Sequence, residues 1–290
     1  IAGPLANSEQ EVLLLDIPGE TPNSITEDAV KKLIRSDPPA LMHKNKANLI
    51  KVGNIRDDFN KLANCDLIIE AVVERLDIKK DLYNRINNIV NSKCVITSNT
   101  STIPIKLLVE DMPQSFRERF AITHYFNPVR FMRLLELVRG EHTKSEIIKK
   151  LADYNDRILG KGVVACNDTP GFLGNRVGVY ALQVGMDEAY KLNLTVEEAD
   201  SLMGRPMGIP KTGIFGLYDL IGIDLMSDVV DTLGTILPDN DDFHKVGASN
   251  IPTAELIKKM IDEGFTGNKG KGGFYRLDEK ENEFYLDIYN

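Results

Sequence analysis

Two residues stand out in the middle of the chain because of what surrounds them. The stretch "FAITHYFNPVRFMRLLELV", Phe120 to Val138, reads as two short apolar strands joined by a turn at Asn127–Pro128. His124 closes the first run and Glu136 sits inside the second, 12 residues further on. An unpaired charge is costly to bury. The two side chains can relieve each other if the strands are neighbours. A carboxylate beside an imidazole holds one tautomer and raises the basicity of the ring. That arrangement suits a base that takes a hydroxyl proton while hydride leaves the same carbon. A histidine near an apolar strand also occurs as a satisfied structural residue, and the spacing alone is compatible with both readings.

A third residue with a chemical use lies near the start. "EVLLLDI", Glu11 to Ile17, reads as a strand whose last residue before the turn is Asp16. In dinucleotide-binding folds an acidic residue ends the second strand about 20 residues after the first glycine of a G-x-G-x-x-G loop, where it bonds the ribose hydroxyl. No such loop occurs in the sequence, and Ile1–Asn7 read as the tail of a helix. The spacing from Asp16 places the expected loop and its strand before Ile1, so the expectation is a longer parent protein. A plain strand-end carboxylate is the other reading of Asp16. "GNKGKGG", Gly267 to Gly273, is no substitute, because it precedes a strand and not a helix.

The elements that position these residues follow from hydrophobic pattern. "DLIIEAVV" (Asp66–Val73), "CVITSNTS" (Cys94–Ser101) and "FAITHYF" (Phe120–Phe126) are near-continuous apolar runs, as are "EVLLLDI", "RLLELV" and "GVVAC" (Gly162–Cys166). Such runs mark strands covered on both faces. Helical patterns alternate with them over Asp77–Val90, with an apolar stripe of Ile78, Leu82, Ile86 and Ile89, and over Lys144–Leu159. The alternation predicts an α/β fold, a Rossmann-type doubly wound parallel sheet. His124 would then lie at the carboxyl edge, where open α/β sheets bind ligands. From "NDTPGFLGNR" onward the pattern is helical, with Thr169–Pro170 expected to open a long helix and "TVEE" at Thr195 forming a capping box. The domains are therefore 1–167 and a smaller, all-helical 168–290, ending in a short strand, "GKGGFYRL". The last residues, "DEKENEFYLDIYN", read as an edge or a linker.

Composition narrows the rest. The chain has 290 residues and a net charge of −8, which argues against a nucleic-acid binder. No apolar run approaches the roughly 20 residues of a membrane-spanning helix. Cys65, Cys94 and Cys166 are far apart with no metal-ligand spacing, so a reduced, cytoplasmic setting without a metal is expected.

Five motifs, "SNTSTIPI", "THYFNPVRFMRLLELV", "DTPGFLGNR", "GRPMGIPKTGIFGLYDLIGID" and "GKGGFYRL", occur in this order. In them the chain resembles the 3-hydroxyacyl-CoA dehydrogenases over nearly its whole length, and most closely the dehydrogenase part of bacterial proteins that also carry an enoyl-CoA hydratase module. The resemblance implies NAD as cofactor and an acyl-CoA substrate, with (S)-3-hydroxyacyl-CoA oxidised to 3-ketoacyl-CoA in β-oxidation. It also implies a homodimer through the helical domain, with no nucleic-acid or membrane partner. It makes His124 the base and Glu136 the residue that orients it. Ser101 would contact substrate and cofactor, and Asn175 the reacting group. Asn99, Glu74, Lys79 and Lys269 would join Asp16 at the cofactor, Lys79 also lying near the CoA moiety. Each has a plainer role: Ser101 and Asn99 as helix caps, Glu74, Lys79 and Lys269 as solvated charges. Phe172, Met207 and Phe215 are expected in the helical core. Two rivals are a dehydrogenase of a free 3-hydroxy acid and a catalytically silent structural or binding relative.

Overall fold

The computed structural model describes residues 1–209, 211–246, 252–277, 283–286 and 288. The chain forms two compact units, Ile1–Phe172 and Leu173–Asn290.

The first unit is α/β. After α1 (Ala2–Asn7) come β1 (Val12–Asp16), α2 (Ser24–Arg35) and β2 (Ile50–Asn54). Then follow β3 (Leu67–Glu70), α3 (Leu76–Asn87), β4 (Val95–Ser98), two short helices α4 (Ile105–Leu108) and α5 (Gln114–Arg117), and β5 (Phe120–Tyr125). The unit closes with β6 (Leu134–Arg139), α6 (Ser145–Arg157) and β7 (Gly162–Cys166). β3 to β7 form one sheet in that order, while β1 and β2 form a separate parallel ladder. β2 escapes a search for continuous apolar runs, because "IKVGN" interrupts its apolar residues with Lys51 and Gly53. One pair departs from the parallel pattern. β5 and β6 run antiparallel, since the connection Phe126–Arg133 is too short for a crossover helix. It turns through a cis Asn127–Pro128 peptide.

Side chains alternate across β5, and the alternation decides where the base points. Phe120 and Ile122 pack with Tyr83, Ile86, Ile96, Leu108 and Phe116 under α3 to α5. Ala121 packs on the opposite face with Leu137, Ile147 and Leu151. His124, two residues beyond Ile122, therefore faces the α3–α5 side at the carboxyl end of the strand. Tyr83, Phe116 and Phe120 have ring centroids 5.2 to 5.9 Å apart. Burying each ring contributes about 1.5–3 kcal/mol.

The buried face of α3 holds Ile86 of the apolar stripe expected from sequence, with Leu82 and Ile89 packed at its margin, and adds two polar residues. Lys79, Tyr83 and Ile86 are buried, and Ile78 is exposed. The helix is turned because Glu70, at the buried end of β3, draws the Lys79 ammonium and the Tyr83 hydroxyl inward.

The second unit holds α7 (Gly174–Lys191), α8 (Val196–Leu202), α9 (Phe215–Ile221), α10 (Ile223–Ile236) and α11 (Pro252–Asp262). An antiparallel hairpin, β8 (Tyr275–Leu277) with β9 (Glu283–Tyr285), follows. The tail expected to be an edge or linker thus supplies a strand, and its other residues lie mostly outside those described. The capping box at Thr195 forms with both of its bonds. Thr169–Pro170 do not open α7. Gly171 and Phe172 take positive φ values of 70° and 47°, so the chain turns first and helix begins at Gly174. Gly222, at φ 111°, likewise divides the long apolar run into α9 and α10. Phe215, Tyr218, Ile223, Met226 and Phe274 centre the helical core. Phe215 lies there as expected, whereas Met207 is exposed and Phe172 belongs to the α/β core.

Candidate active site

Antiparallel pairing sets His124 directly opposite Glu136. Opposed residues share a face of the sheet, and the imidazole Nδ1 lies 2.6 Å from Glu136 Oε2. Glu136 is fully buried and His124 keeps 7% of its surface exposed. A carboxylate only accepts, so Nδ1 carries the proton and Nε2 is left with its lone pair. Cys166 Sγ, on β7, lies 3.9 Å from the other oxygen of Glu136. The Phe126 and Phe172 rings stand 4.5 and 5.9 Å from the imidazole and keep its surroundings apolar. A short, water-poor, charge-assisted contact of this kind is strong. It orients the ring and stabilises the imidazolium once Nε2 takes a proton.

The turn after β4 lies beside this pair. The Asn99 side-chain carbonyl accepts the Tyr125 N–H at 2.9 Å, and the Asn99 N–H donates to the Glu70 carbonyl at 2.7 Å. Asn99 thus struts β4 against the residue next to His124. Ser101 is half-buried, and its hydroxyl has no partner among the described residues. Helix caps here come from elsewhere. The Asp168 carboxylate accepts the Ile105 and Lys106 N–H groups of α4 at 2.9 and 3.3 Å. Burial pushes the Asp168 carboxyl up, against those two bonds.

Glu74 grips the same turn. Its Oε1 accepts the Thr100 hydroxyl, the Thr102 hydroxyl at 2.9 Å, and the Ser101 and Thr102 N–H groups at 3.3 Å each. Burial works to raise the Glu74 carboxyl, but the Thr100 hydroxyl, the Lys79 ammonium and the Thr102 hydroxyl outweigh it, so it sits below the usual range.

Lys79, expected at the cofactor and the CoA moiety, is fully buried in this structure. Its ammonium reaches Glu70 at 2.8 Å, Glu74 at 3.3 Å and the Val72 carbonyl at 3.4 Å. These three acceptors lie within reach of its three hydrogens. Sequence reasoning missed the residue responsible. Glu70 is a charge at the end of an apolar strand, the same signal that drew attention to Glu136.

Asp16 ends β1 on an exposed carboxylate. One oxygen accepts the N–H of Ile17 at 2.7 Å, and the other has no partner among the described residues. An exposed carboxylate with a free oxygen suits the ribose hydroxyl that its spacing anticipates. Asn175 and Lys269 belong to the second unit. Asn175 is the second residue of α7 and half-buried. Lys269 pairs with Asp224 at 2.6 Å and keeps 52% of its side chain exposed. Asp219 holds the turn that carries it, accepting the Phe274 and Tyr275 N–H groups at 2.9 and 2.8 Å.

Among the described residues no group of His, Cys, Asp and Glu could hold a metal ion, and no helix is long and apolar enough to cross a membrane. The three cysteines are unbridged.

A Rossmann-like α/β domain with a carboxylate-gripped imidazole at its sheet, followed by a helical domain, is the architecture of a two-domain dehydrogenase. The family match is specific. The NAD binding domain of 3-hydroxyacyl-CoA dehydrogenase matches residues 1–169, and the C-terminal domain of 3-hydroxyacyl-CoA dehydrogenase matches residues 171–277. The chain belongs to the 3-hydroxyacyl-CoA dehydrogenase family. A Rickettsia felis protein that carries the name of a fatty acid oxidation complex trifunctional enzyme is 42% identical over all of this chain, which spans 40% of that protein's length. The mitochondrial hydroxyacyl-coenzyme A dehydrogenase of Sus scrofa is 30% identical, with 85% of this chain matched to 74% of that one. Among solved structures, M. tuberculosis FadB2 superposes with a TM-score of 0.79 at 27% identity, covering 96% of this chain and 94% of the other.

Proposed function

We propose that the protein oxidises (S)-3-hydroxyacyl-CoA to 3-ketoacyl-CoA in fatty-acid β-oxidation, with NAD as cofactor. The observation that carries this reading is the 2.6 Å contact between His124 Nδ1 and the fully buried Glu136. Bound NAD supplies the acceptor for the hydride that leaves C3. His124 Nε2 takes the C3 hydroxyl proton, and Glu136 stabilises the imidazolium. Ser101, with its free hydroxyl, and Asn175 hold the substrate oxygen. Asp16 holds the ribose, and Lys269 is a further cofactor contact. A neutral ribose hydroxyl suits an acidic partner, which favours NAD over its 2′-phosphorylated form.

The wider setting belongs to the same reading. The protein works in the cytoplasm, beside an enoyl-CoA hydratase activity, as a homodimer through the helical unit. The exposed apolar side chains Val177, Leu220 and Leu225 support that last assignment. The test is NADH formation from (S)-3-hydroxybutyryl-CoA compared with free 3-hydroxybutyrate. Turnover of the thioester alone supports the reading. Turnover of the free acid points to another dehydrogenase, and NADH binding without turnover of either points to a silent relative.

A further inference from the structure

We propose that Asp168 is a positioning residue. Its carboxylate ties the connector between β7 and α7 to the first turn of α4. It thereby fixes two segments beside His124, the loop 99–104 that carries Ser101 and the turn that carries Phe172. The consequence for turnover rests on the proposed function above; the positioning itself does not.

α4 has no cap of its own, because Pro104 occupies the capping position and offers no side-chain acceptor. Asp168 fills the role instead. Its Oδ1 accepts the Ile105 N–H at 2.9 Å and its Oδ2 the Lys106 N–H at 3.3 Å. Among the described residues no cation pairs with this carboxylate, so backbone N–H groups offset its burial. A serine or aspartate at position 104 would cap the helix and join nothing else, whereas a carboxylate 63 residues away from Ile105 joins two segments. Both segments reach the imidazole. Upstream of α4, the Asn99 side chain accepts the N–H of Tyr125, next to His124, at 2.9 Å, and Ser101 follows two residues later. Asn99 holds one end of that loop and Asp168 holds the other. Downstream of Asp168, the Phe172 N–H donates to the Thr169 carbonyl at 3.0 Å, and the Phe172 ring stands 5.9 Å from the imidazole. Phe172 holds a φ of 47°, where a bulky side chain is strained. Such strain persists only where the surroundings over-determine the backbone. Phe172 packs in one cluster with Ile105 and Leu108 of the helix that Asp168 caps. The carboxylate and this packing therefore act on the same joint.

The test compares wild type, Asp168→Ala, Phe172→Leu and the double variant by the NMR signals of the His124 ring, amide hydrogen exchange and steady-state turnover, with NADH affinity measured on the same samples. Positioning predicts that Asp168→Ala speeds exchange at Ile105 and Lys106 by about tenfold, the loss of a charge-assisted hydrogen bond, and speeds it at Phe172 as well. The His124 ring signals should move in the direction that Phe172→Leu moves them, since a displaced aromatic ring no longer acts on the imidazole. Turnover should fall roughly 10- to 100-fold in kcat, at an NADH affinity within about threefold of wild type. The double variant should be no slower than the slower single one. A helix cap and nothing more would quicken exchange at Ile105 and Lys106 alone, leaving Phe172 exchange, the His124 signals and kcat at wild-type values. That result overturns the proposal, as does full additivity of the two changes. Should Asp168→Ala fail to fold, Asp168→Asn, which keeps one acceptor oxygen, replaces it. His124 signals moved toward their Phe172→Leu positions then support the proposal, and unmoved signals overturn it. The NMR and exchange readings need no turnover, so a wild-type protein that forms no NADH would remove the functional reading and leave them standing.

Discussion

Replacing Glu136 by glutamine keeps the volume at a fully buried position and removes the charge that faces the imidazole. In the resting state the loss is small, since an amide oxygen can still accept the Nδ1–H. The loss grows when Nε2 takes the substrate proton, because the ring becomes a cation and its 2.6 Å partner is then neutral. A hydrogen bond to a charged group contributes about 1.5–3 kcal/mol, against about 1 for a neutral one. The difference, about 0.5–2 kcal/mol, lowers kcat by roughly 2- to 30-fold at about 1.4 kcal/mol per decade. Binding of NADH and of acyl-CoA should stay within about threefold, since Glu136 is beyond reach of either. The assay is steady-state oxidation of (S)-3-hydroxybutyryl-CoA, followed by nicotinamide absorbance, with circular dichroism confirming the fold of the variant. A Glu136→Gln protein that turns over at the wild-type rate would refute the reasoning. A drop in NADH affinity matching the drop in kcat would refute it too, by showing the change to be structural.

Three further outcomes follow from particular contacts. The Glu74 carboxyl lies below its ordinary value in the folded state, so its contribution to stability is complete above the unfolded value near 4.5 and is lost as pH falls through the folded one; thermal melts of wild type and Glu74→Gln should differ at about pH 6 and draw together as the pH falls below 4.5. Tyr83→Phe removes a buried donor from Glu70 at 2.6 Å and should cost about 1–3 kcal/mol in urea unfolding, whereas a change below about 0.5 would mean that the carboxylate is satisfied without it. Gly273→Ala places a Cβ 1.8 Å from Asp219 Oδ1, so it should disrupt the turn bearing Lys269 and lower the melting of the helical unit, an effect visible as faster exchange at Phe274 and Tyr275.

What the sequence reveals here depends on whether a residue's neighbours in space are also its neighbours in pattern. β4, β5 and β7 are legible because continuous apolar runs need both faces covered, and β2 is not, because lysine and glycine break its run. His124 and Glu136 are legible as a pair because a short connection can only return antiparallel, which brings the two strands into register. Glu70 carries the same signal as Glu136 but lacks a visible partner, since Lys79 looks like one more solvated helix charge. Only the folded helix shows the lysine facing inward. Hydrophobic periodicity therefore finds Leu82, Ile86 and Ile89 but misses that Lys79 and Tyr83 share the buried face in place of Ile78. The start of α7 fails for a local reason. Thr169–Pro170 is a good helix opening, but the left-handed turn at Gly171–Phe172 intervenes and sends Phe172 into the α/β core beside the imidazole. Asp16 is legible as a strand end because the apolar run of β1 stops there, while its link to a ribose rests on a long-range spacing rule of this fold.

The account stands or falls on a proton leaving the substrate for His124. Its most direct measurement is single-turnover NADH formation from the (S) and (R) epimers of 3-hydroxybutyryl-CoA by wild type and His124→Ala, with NADH and acyl-CoA affinities measured on the same samples. The expected result is turnover of the (S) epimer alone, slowed roughly 10²- to 10⁴-fold in His124→Ala at nearly unchanged affinities. Equal rates in the two proteins, or a wild-type protein that binds both ligands and transfers no hydride, would contradict it.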